Sequence, residues 1–393
     1  MSDRRRILVA MSGGVDSSTT AWLLKEEGHE VAGAFMSRGA DIPVRDQGRQ
    51  ECLPHLAPVE RARRVAEFLG VPFHVVDLAE DFELLVDYFC SEYLRGRTPN
   101  PCAICNMQIK FRRLLELADR LKMDLLATGH YARVSSSPSY VGGDPCVPPV
   151  SASSSSVQPA DEEGPHAGGP LQKRIQLRRG LDPAKDQSYY LFALSQMQLG
   201  RSLFPLGQRT KGEVRELARK AGLPAAETEE SQDICFVPDK DYARLVRERL
   251  GARVRPGEIV DVDGNVVGTH DGIVGFTVGQ RRGVRVAMGE PVYVVEIDAR
   301  ANRVVVGPAD RLLVGEFEAH NVNWVSIAPP AKPLSCGVQI RYNSTPKSAT
   351  VTISGRFSVH VAFDEPQRAV TPGQCAVLYD GDTVLGGGWI AGK

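Results

Sequence analysis

Residues 7–18 read ILVAMSGGVDSS, an apolar run that leads through two glycines into a polar segment. The apolar run at 7–10 predicts a buried β-strand, and residues 17–25 predict the helix that follows it. Two adjacent glycines let the backbone approach a phosphate closely, and the start of the helix offers unpaired N–H groups with positive partial charge. This stretch therefore predicts a strand–loop–helix unit that binds the phosphates of a nucleotide.

Two details refine the prediction for this loop. It is not the GxxxxGK[ST] nucleotide loop. The hydroxyl groups of Ser12, Ser17 and Ser18 can add hydrogen bonds, and Asp16 is a candidate for orienting a magnesium ion that screens the phosphates. The alternative is an ordinary strand-to-helix turn in which serine and aspartate cap the helix.

Further strands and helices alternate along the first ~130 residues, which is typical of a parallel sheet with helices on both faces. The strands are predicted at residues 31–36, 72–77 and 124–128, and the helices at 60–69, 82–94 and 110–121. Ligands of such sheets bind at the carboxyl ends of the strands. We therefore predict an α/β domain that carries the nucleotide at this edge.

The remainder of the chain has a different composition and a different pattern of predicted elements. Residues 135–170 are rich in serine, proline and glycine, which predicts a disordered insertion. Helical patterns return at 211–221 and 241–250, and short strands are predicted at 273–278, 292–297, 303–306 and 376–379. We predict three domains, listed with their bounds: a catalytic domain at 1–205, a small, mostly helical central domain at 206–270, and an antiparallel β-barrel at 271–393.

Composition narrows the class of protein. The chain has 393 residues and a net charge of -1, so it is not uniformly basic, although a local basic groove would still allow nucleic-acid binding. Eight cysteines are too few for a disulfide scaffold. Glycine and aspartate interrupt the N-terminal apolar run too early for a secretory signal, and no stretch approaches the ~20 apolar residues of a membrane span. We expect a cytoplasmic protein that does not enter the membrane.

A second motif, GRTPNPCAICN at residues 96–106, places a C-x-x-C pair before the predicted helix at 110–121. The helix dipole and nearby cations are expected to lower the pKa of Cys102 and Cys105 and to favour thiolates. Thiolates serve sulfur transfer, disulfide exchange or metal binding. A structural zinc knuckle is the alternative, but it normally needs a second paired motif, and the sequence contains no other C-x-x-C.

Eight segments in one order resemble the bacterial tRNA-specific 2-thiouridylase family, over nearly the whole chain except the 135–170 insertion. They are SGGVDSS, GRTPNPCAICNMQIKF, ATGHYAR, LRRGLDPAKDQSYYLF, ESQDICF, TVGQRRG, EPVYVVEID and TPGQCAVLYDG. The resemblance implies a parallel-sheet ATP pyrophosphatase domain, a middle domain and a C-terminal barrel. It also implies the reaction: ATP adenylates O2 of the wobble uridine, and a sulfur from a persulfide relay or sulfide donor replaces that oxygen to give 2-thiouridine.

The resemblance assigns site residues as well. It places the nucleophilic cysteine at Cys105 and the persulfide-carrying cysteine at Cys235. Contacts to ATP fall on Ala10, Met11, Ser12, Gly13, Gly14, Val15, Asp16, Ser17, Met36 and Gly129. Contacts to tRNA fall on Asn100, Pro101, Cys102, His130, Lys185, Asp186, Gln187, Arg341, Tyr342 and Gln374.

One position departs from the family pattern, because many members have aspartate where this chain has Cys102. With Cys105 and Cys235 it makes three soft ligands, which is the set that a [4Fe–4S] cluster with one open iron requires. We therefore carry two hypotheses. In one, these cysteines bind such a cluster, and in the other Cys105 and Cys235 pass through a persulfide and a disulfide.

Two other classes of protein remain open at this stage. Another ATP pyrophosphatase, such as an amidotransferase, would activate a carbonyl for ammonia and would need no essential thiol. A non-enzymatic RNA-binding metalloprotein would not consume ATP, and the SGGVDSS segment would then have no purpose.

Overall fold

The structure, a computed structural model, describes residues 4–39, 57–135, 174–228, 234–237 and 239–392. Apart from Ser135, the predicted insertion at 135–170 lies outside the described residues, as do Ser231, Gln232 and Asp233 before Cys235. Within these ranges, no helix combines the length and apolar character that a membrane crossing requires.

The N-terminal region alternates strands and helices as predicted. Its first elements are β1 (Arg6–Ala10), α1 (Val15–Glu26), β2 (Glu30–Ser37), α2 (Pro58–Leu69), β3 (Phe73–Asp77), α3 (Ala79–Leu94), α4 (Pro101–Ile104), α5 (Phe111–Arg120) and β4 (Leu125–Ala127). The next are β5 (Ala132–Val134), β6 (Leu177–Arg179), α6 (Gln196–Gly200), β7 (Ser202–Leu203) and α7 (Lys211–Lys220). The apolar runs became strands because both faces of this sheet are covered by helices.

Five parallel strands form the N-terminal sheet in the order β3-β2-β1-β4-β7. The chain moves outward from β1 to β3 and then returns to the other side of β1 with β4. The strand order therefore reverses between β1 and β4, and such a reversal leaves a crevice at the carboxyl ends where ligands bind. The loop after β1 is the predicted phosphate-binding segment.

A middle unit follows, with α8 (Tyr242–Leu250) and four strands: β8 (Gly257–Asp261), β9 (Val266–His270), β10 (Tyr293–Asp298) and β11 (Arg303–Gly307). Their order is β10-β11-β8-β9. This sheet includes strands on both sides of residue 270, where a domain boundary is predicted from the sequence. The domain boundaries stay a prediction.

The strand predicted at 273–278 is wrong. Ile273–Gly275 is a single 3₁₀ turn that buries Ile273 and Val274 in the core of the middle unit. Gly272, with a φ of 138°, starts this turn. A short apolar run does not distinguish a strand from a buried turn by its pattern alone.

The C-terminal strands close into an antiparallel barrel, as predicted. They are β12 (Leu313–Asn323), β13 (Leu334–Gln339), β14 (Lys347–Gly355), β15 (Ser358–Arg368), β16 (Cys375–Asp380) and β17 (Thr383–Ile390). The order β12-β15-β14-β13-β16-β17 closes because β12 also pairs with β17. The β5–β6 hairpin continues this sheet from β17, which ties the N-terminal region to the barrel.

Shared cores join the three regions. One cluster of buried side chains combines Leu8 and Phe111 from the N-terminal domain with Val377 and Tyr379 from the barrel. Helix α3 enters the core of the middle unit, where Tyr93 stacks on Tyr242 with ring centroids 4.8 Å apart. The loops that carry the motifs are therefore held between packed domains.

Candidate active site

The loop after β1 has the geometry of a phosphate cradle. Gly13 has a φ of 78°, in the left-handed region that favours glycine, and a Cβ at this position would lie 2.7 Å from the carbonyl oxygen of Pro58 on α2. Gly14 is the N-cap residue of α1 and contributes no capping side chain. The Ser12 N–H donates to the hydroxyl of Ser17 at 3.1 Å. Helix α1 therefore presents its first amides toward the loop, and those amides are suited to phosphate oxygens.

The predicted nucleotide residues meet at one edge of the sheet. Gly129 follows β4, and a Cβ there would lie 3.1 Å from backbone atoms of Asp16 and Ser17. Met36 lies at the end of β2, on the other side of β1. Because the strands are parallel, the loop after β1 lies between these two positions, and their contacts to a nucleotide stay a prediction.

Asp16 is the centre of a hydrogen-bond and ion-pair network that was not predicted from the sequence. Its carboxylate accepts hydrogen bonds from the Tyr131 hydroxyl at 2.8 Å and from the Lys211 ammonium, 2.7 Å from each oxygen. The Gln187 side chain accepts from the Tyr131 N–H at 3.0 Å. Tyr131 lies in the ATGHYAR segment, so the family resemblance could have pointed to it as a site residue. Lys211 lies outside every motif, and only the tertiary fold brings it to the loop. The predicted role of Asp16 toward magnesium stays a prediction.

The second motif starts a short helix as its residue types require. The Asn100 side chain caps α4 by accepting from the Ala103 N–H at 3.2 Å, and Pro101 occupies the first helical position. Cys102 is exposed, whereas Cys105 is partly covered and begins a π-helical turn over Cys105–Lys110. Such turns are frequent at functional sites because they redirect side chains within a helix.

The expectation of lowered thiol pKa values is wrong for this conformation. Burial raises the pKa of the Cys105 thiol to about 12, and the opposing effect of the Lys110 ammonium is smaller. The pKa of Cys102 is raised as well, first by desolvation and then by the proximity of Cys235, although Cys102 is an exposed residue. Cys235 also contributes to the raised pKa of Cys105, so the three cysteines are electrostatic neighbours.

The three thiols do not form a metal-ligand set in this conformation. Across the described ranges, no group of three or more His, Cys, Asp and Glu side chains is arranged to hold a metal ion. Cys235 is exposed, and its backbone carbonyl accepts a hydrogen bond from Arg38. The ring of the next residue, Phe236, packs edge-on against Phe89 of α3 with centroids 5.3 Å apart. The cluster-binding geometry is therefore not met by the residues as they stand.

Four of the residues predicted to contact tRNA are buried: Asn100, Pro101, His130 and Asp186. His130 is 9% exposed, and its Nδ1 lies 2.7 Å from the Thr128 hydroxyl. Burial lowers the pKa of its imidazole well below the usual value, and the Lys110 charge acts in the same direction, so His130 is neutral. Asp186 accepts from the N–H groups of Gly180 and Ser188 at 2.9 and 3.1 Å. In this conformation the side chains of His130 and Asp186 stabilise the fold, and the tRNA contacts of all four residues stay a prediction.

Lys185 and Gln187 flank Asp186 in the same loop. Lys185 is partly exposed, and its backbone N–H donates to the Asp182 carbonyl. Gln187 holds the backbone of Tyr131 from both sides, since its own N–H also donates to the Tyr131 carbonyl at 2.8 Å. This loop therefore lies next to the network around Asp16.

Two of the other predicted tRNA residues line a recess where the three regions meet. Arg341 and Gln374 of the barrel line a recess of about 440 Å³ together with Thr98. The Gln374 amide donates to the carbonyls of Thr98 and Pro99 at 3.2 Å, which fixes the loop that carries Asn100. The middle unit contributes residues 277–280, from the TVGQRRG segment.

Tyr342 provides an aromatic surface beside this recess. Its ring stacks on that of Tyr190 with centroids 4.6 Å apart, and both rings are only partly buried. The structure thus brings Arg341, Tyr342 and Gln374 to the loop of the C-x-x-C pair. Stacked aromatic rings beside a cation suit an unpaired base and its phosphate.

Comparison with known proteins covers the whole chain. Family models match at residues 5–239 (tRNA methyl transferase HUP domain), 244–308 (tRNA methyl transferase PRC-barrel domain) and 314–390 (Aminomethyltransferase beta-barrel domain). The tRNA-specific 2-thiouridylase MnmA of Geobacter metallireducens is 47% identical over 390 residues, which are 98% of this chain and 97% of that protein. The protein of the same name from Chloroflexus aurantiacus is 46% identical over 387 residues, 98% of each chain.

A solved structure, the U34-tRNA thiolase NcsA of Methanococcus maripaludis with its [4Fe-4S] cluster, is 16% identical. The match covers 64% of this chain and 67% of that one, with a TM-score of 0.33, which is too low to carry an argument. The two bacterial relatives, in contrast, match over nearly their full length and confirm the resemblance drawn from the motifs. The chain belongs to the tRNA-specific 2-thiouridylase family.

Proposed function

We propose that this chain is a cytoplasmic tRNA-uridine 2-sulfurtransferase that uses ATP and Mg²⁺ to convert the wobble uridine of tRNA to 2-thiouridine. One observation carries the proposal. Met36, at the nucleotide edge of the sheet, packs into the same apolar cluster as Cys105 and as Phe236, the neighbour of Cys235. The predicted nucleotide edge of the sheet, Cys105 and the residue that follows Cys235 therefore contact one apolar cluster, while Cys235 itself is exposed beside it. An amidotransferase would not require that arrangement of thiols.

The reaction follows from the chemistry of a pyrimidine carbonyl, whose oxygen is a poor leaving group. Uridine O2 attacks the α-phosphorus of ATP, the bond from that phosphorus to the bridging oxygen breaks, and pyrophosphate leaves. A sulfur nucleophile then adds to C2, and AMP departs with the original oxygen. Amides at the start of α1 would stabilise the charge that develops on the phosphates.

The raised pKa of Cys105 bears on the order of these events. Because burial keeps the thiol protonated in this conformation, it is a weak nucleophile before substrate binds. We infer that the thiolate forms after the adenylated base has entered, so that sulfur chemistry follows activation. Asn100, Pro101 and Cys102 would lie beside the base, and the residues at the recess would bind the tRNA strand.

Two routes for the sulfur remain as hypotheses. In the first, a persulfide on Cys235 gives up its terminal sulfur, and Cys105 and Cys235 end as a disulfide that a thiol reductant must reopen. The sulfur would come from a persulfide relay protein. In the second, Cys102, Cys105 and Cys235 would hold a [4Fe–4S] cluster, which would supply an iron with an open position for binding inorganic sulfide. The electrostatic coupling of the three thiols favours neither route, and the present arrangement would have to close to form a ligand set.

The central experiment separates activation from sulfur transfer. Purified protein, labelled ATP and unmodified tRNA are combined, and AMP, pyrophosphate and 2-thiouridine are measured. Asp16→Ala is expected to abolish AMP formation, whereas Cys235→Ser should leave it intact and stop thiolation. Cys336→Ser, at a half-buried barrel position, is the control and should change neither. Normal thiolation by Cys235→Ser would show that the sulfur role proposed for Cys235 is wrong. AMP formation without any 2-thiouridine, unchanged in Cys105→Ser, would favour an amidotransferase.

A second experiment decides between the sulfur routes. The protein is purified without oxygen, and its absorbance, iron and acid-labile sulfide are compared with its thiolation activity. A brown protein whose activity depends on iron supports the cluster. A colourless, iron-free protein with full activity excludes it, and mass spectrometry should then find a Cys105–Cys235 disulfide after a single turnover.

A further inference from the structure

Lys211 is the most unusual charged residue near the nucleotide loop. It begins α7, its side chain is only 10% exposed, and its ammonium lies 2.7 Å from both carboxylate oxygens of Asp16. Burying an ammonium removes its hydration, which costs several kcal/mol unless partners compensate. A cation at the first position of a helix is further opposed by the helix dipole. Neither burial nor the position at the start of a helix therefore favours a lysine here.

The surrounding structure holds this side chain in place. The backbone N–H of Lys211 donates to the Asp182 carboxylate at 2.9 Å, and its ammonium lies 5.9 Å from the centre of the Tyr131 ring. Tyr131 itself donates to Asp16 and is held by Gln187. Three segments distant in sequence therefore converge to keep one ammonium beside the nucleotide loop.

The position of Asp16 identifies the ligand that this ammonium faces. Asp16 is the second residue of α1, directly after the Gly13-Gly14 turn and beside Gly129. A triphosphate bound at the start of α1 would lie next to this carboxylate, and two anionic groups would repel each other. An ammonium between them neutralises the carboxylate.

We propose that Lys211 is a further nucleotide-binding residue, which binds the β- and γ-phosphates of ATP and the pyrophosphate that leaves. The inference rests on the proposed function, because it presupposes cleavage between the α- and β-phosphates. As that bond breaks, negative charge accumulates on the departing pyrophosphate, and a fixed cation stabilises it. Lys211 thereby assists adenylation and does not take part in sulfur transfer.

The test uses the full-length protein with unmodified tRNA. Lys211→Gln removes the charge but keeps a hydrogen-bond donor for Asp16, so the variant is expected to fold. Its KM for ATP and its inhibition constant for added pyrophosphate should each rise about 10- to 100-fold, the range for a lost hydrogen bond to a charged group. Lys211→Arg, which keeps the charge, should recover most of the loss. Lys220→Ala is the matched control, since this lysine ends the same helix and is 70% exposed beside Glu216.

The melting temperature of each variant, measured with and without pyrophosphate, reports binding independently of turnover. If pyrophosphate raises the melting temperature of Lys211→Gln by less than it raises that of the wild type, the inference is supported. Wild-type pyrophosphate affinity in Lys211→Gln overturns it, even if that variant is less stable. The proposed function fails separately, because it requires the wild-type protein to form AMP from ATP and tRNA.

Discussion

Substitution of Gly13 by alanine tests whether the nucleotide loop is fixed by its contact with α2. Gly13 has a φ of 78°, and an added Cβ would meet the Pro58 carbonyl oxygen at 2.7 Å and the Arg61 Cβ at 2.9 Å. The left-handed backbone costs about 1–2 kcal/mol for a residue other than glycine. Overpacking against a backbone carbonyl adds about 1–3 kcal/mol. Gly13→Ala should therefore lower the free energy of unfolding of the N-terminal domain by about 2–5 kcal/mol.

The adjacent glycine is the matched control. Gly14 has a φ of -92°, and an added Cβ would have only the Ser12 hydroxyl nearby, at 3.6 Å. Gly14→Ala should leave stability unchanged or raise it by about 0.4–1 kcal/mol, because alanine restricts the unfolded chain. The same methyl group would, however, stand where a phosphate approaches the backbone, so this variant should lose affinity for ATP.

Thermal unfolding with and without MgATP measures both effects. For a domain of this size, each kcal/mol corresponds to about 2–4 °C, so Gly13→Ala should melt about 4–20 °C below the wild type. Gly14→Ala should melt at the wild-type temperature without ligand and should show a smaller rise with MgATP, because the rise follows the ratio of ligand concentration to Kd. Equal melting temperatures for the two variants would refute the steric reasoning. A full ATP-induced rise in Gly14→Ala would refute the phosphate cradle.

Two further predictions concern the thiol and the recess. Burial raises the pKa of Cys105 to about 12 from an ordinary value of 9.0, so the folded state keeps a proton that the unfolded state releases. Stability should therefore fall as the pH rises above about 9, with a slope that approaches ~1.4 kcal/mol per pH unit between the two pKa values. Urea denaturation at several pH values measures this slope; if Cys105 were a thiolate in the folded protein, stability would instead rise with pH below about 9. Arg341→Ala should weaken tRNA binding and lower the slope of log K against log salt by about 1, because one phosphate contact is lost. Gln374→Ala should weaken binding without changing that slope, and an equal change in both variants would contradict the assignment of a phosphate contact to Arg341.

The sequence predicted the N-terminal elements well because their signals are local. The strand at 7–10, the glycine turn and the helix after it lie within one continuous segment, and apolar runs separated by helices define a parallel sheet without knowledge of distant contacts. A C-terminal barrel was predicted from short strands separated by turn residues; the strand at 376–379 lies in it, whereas those at 292–297 and 303–306 belong to the middle sheet. The segment at 273–278 was predicted wrongly because a buried 3₁₀ turn and a buried strand have the same apolar composition.

The electrostatic state of the site was not accessible from the sequence. The C-x-x-C pair at a helix start predicted lowered thiol pKa values, but the packed surroundings of Cys105 raise its pKa instead. Desolvation depends on which residues pack around a group, and those residues come from distant segments. His130 is a similar case, since burial against Phe111 and Phe204 keeps its imidazole neutral.

The sequence by itself determined the class of fold, the glycine turn after the first strand and the position of the C-x-x-C pair, because each is encoded in a short run of residues with a specific physical role. Only the tertiary structure decided that Lys211 reaches Asp16 across 195 positions of the chain, and that Gln374 holds the loop at Thr98. Hydrogen bonds and ion pairs act over a few ångströms in space, and sequence separation carries no information about which distant polar groups will meet.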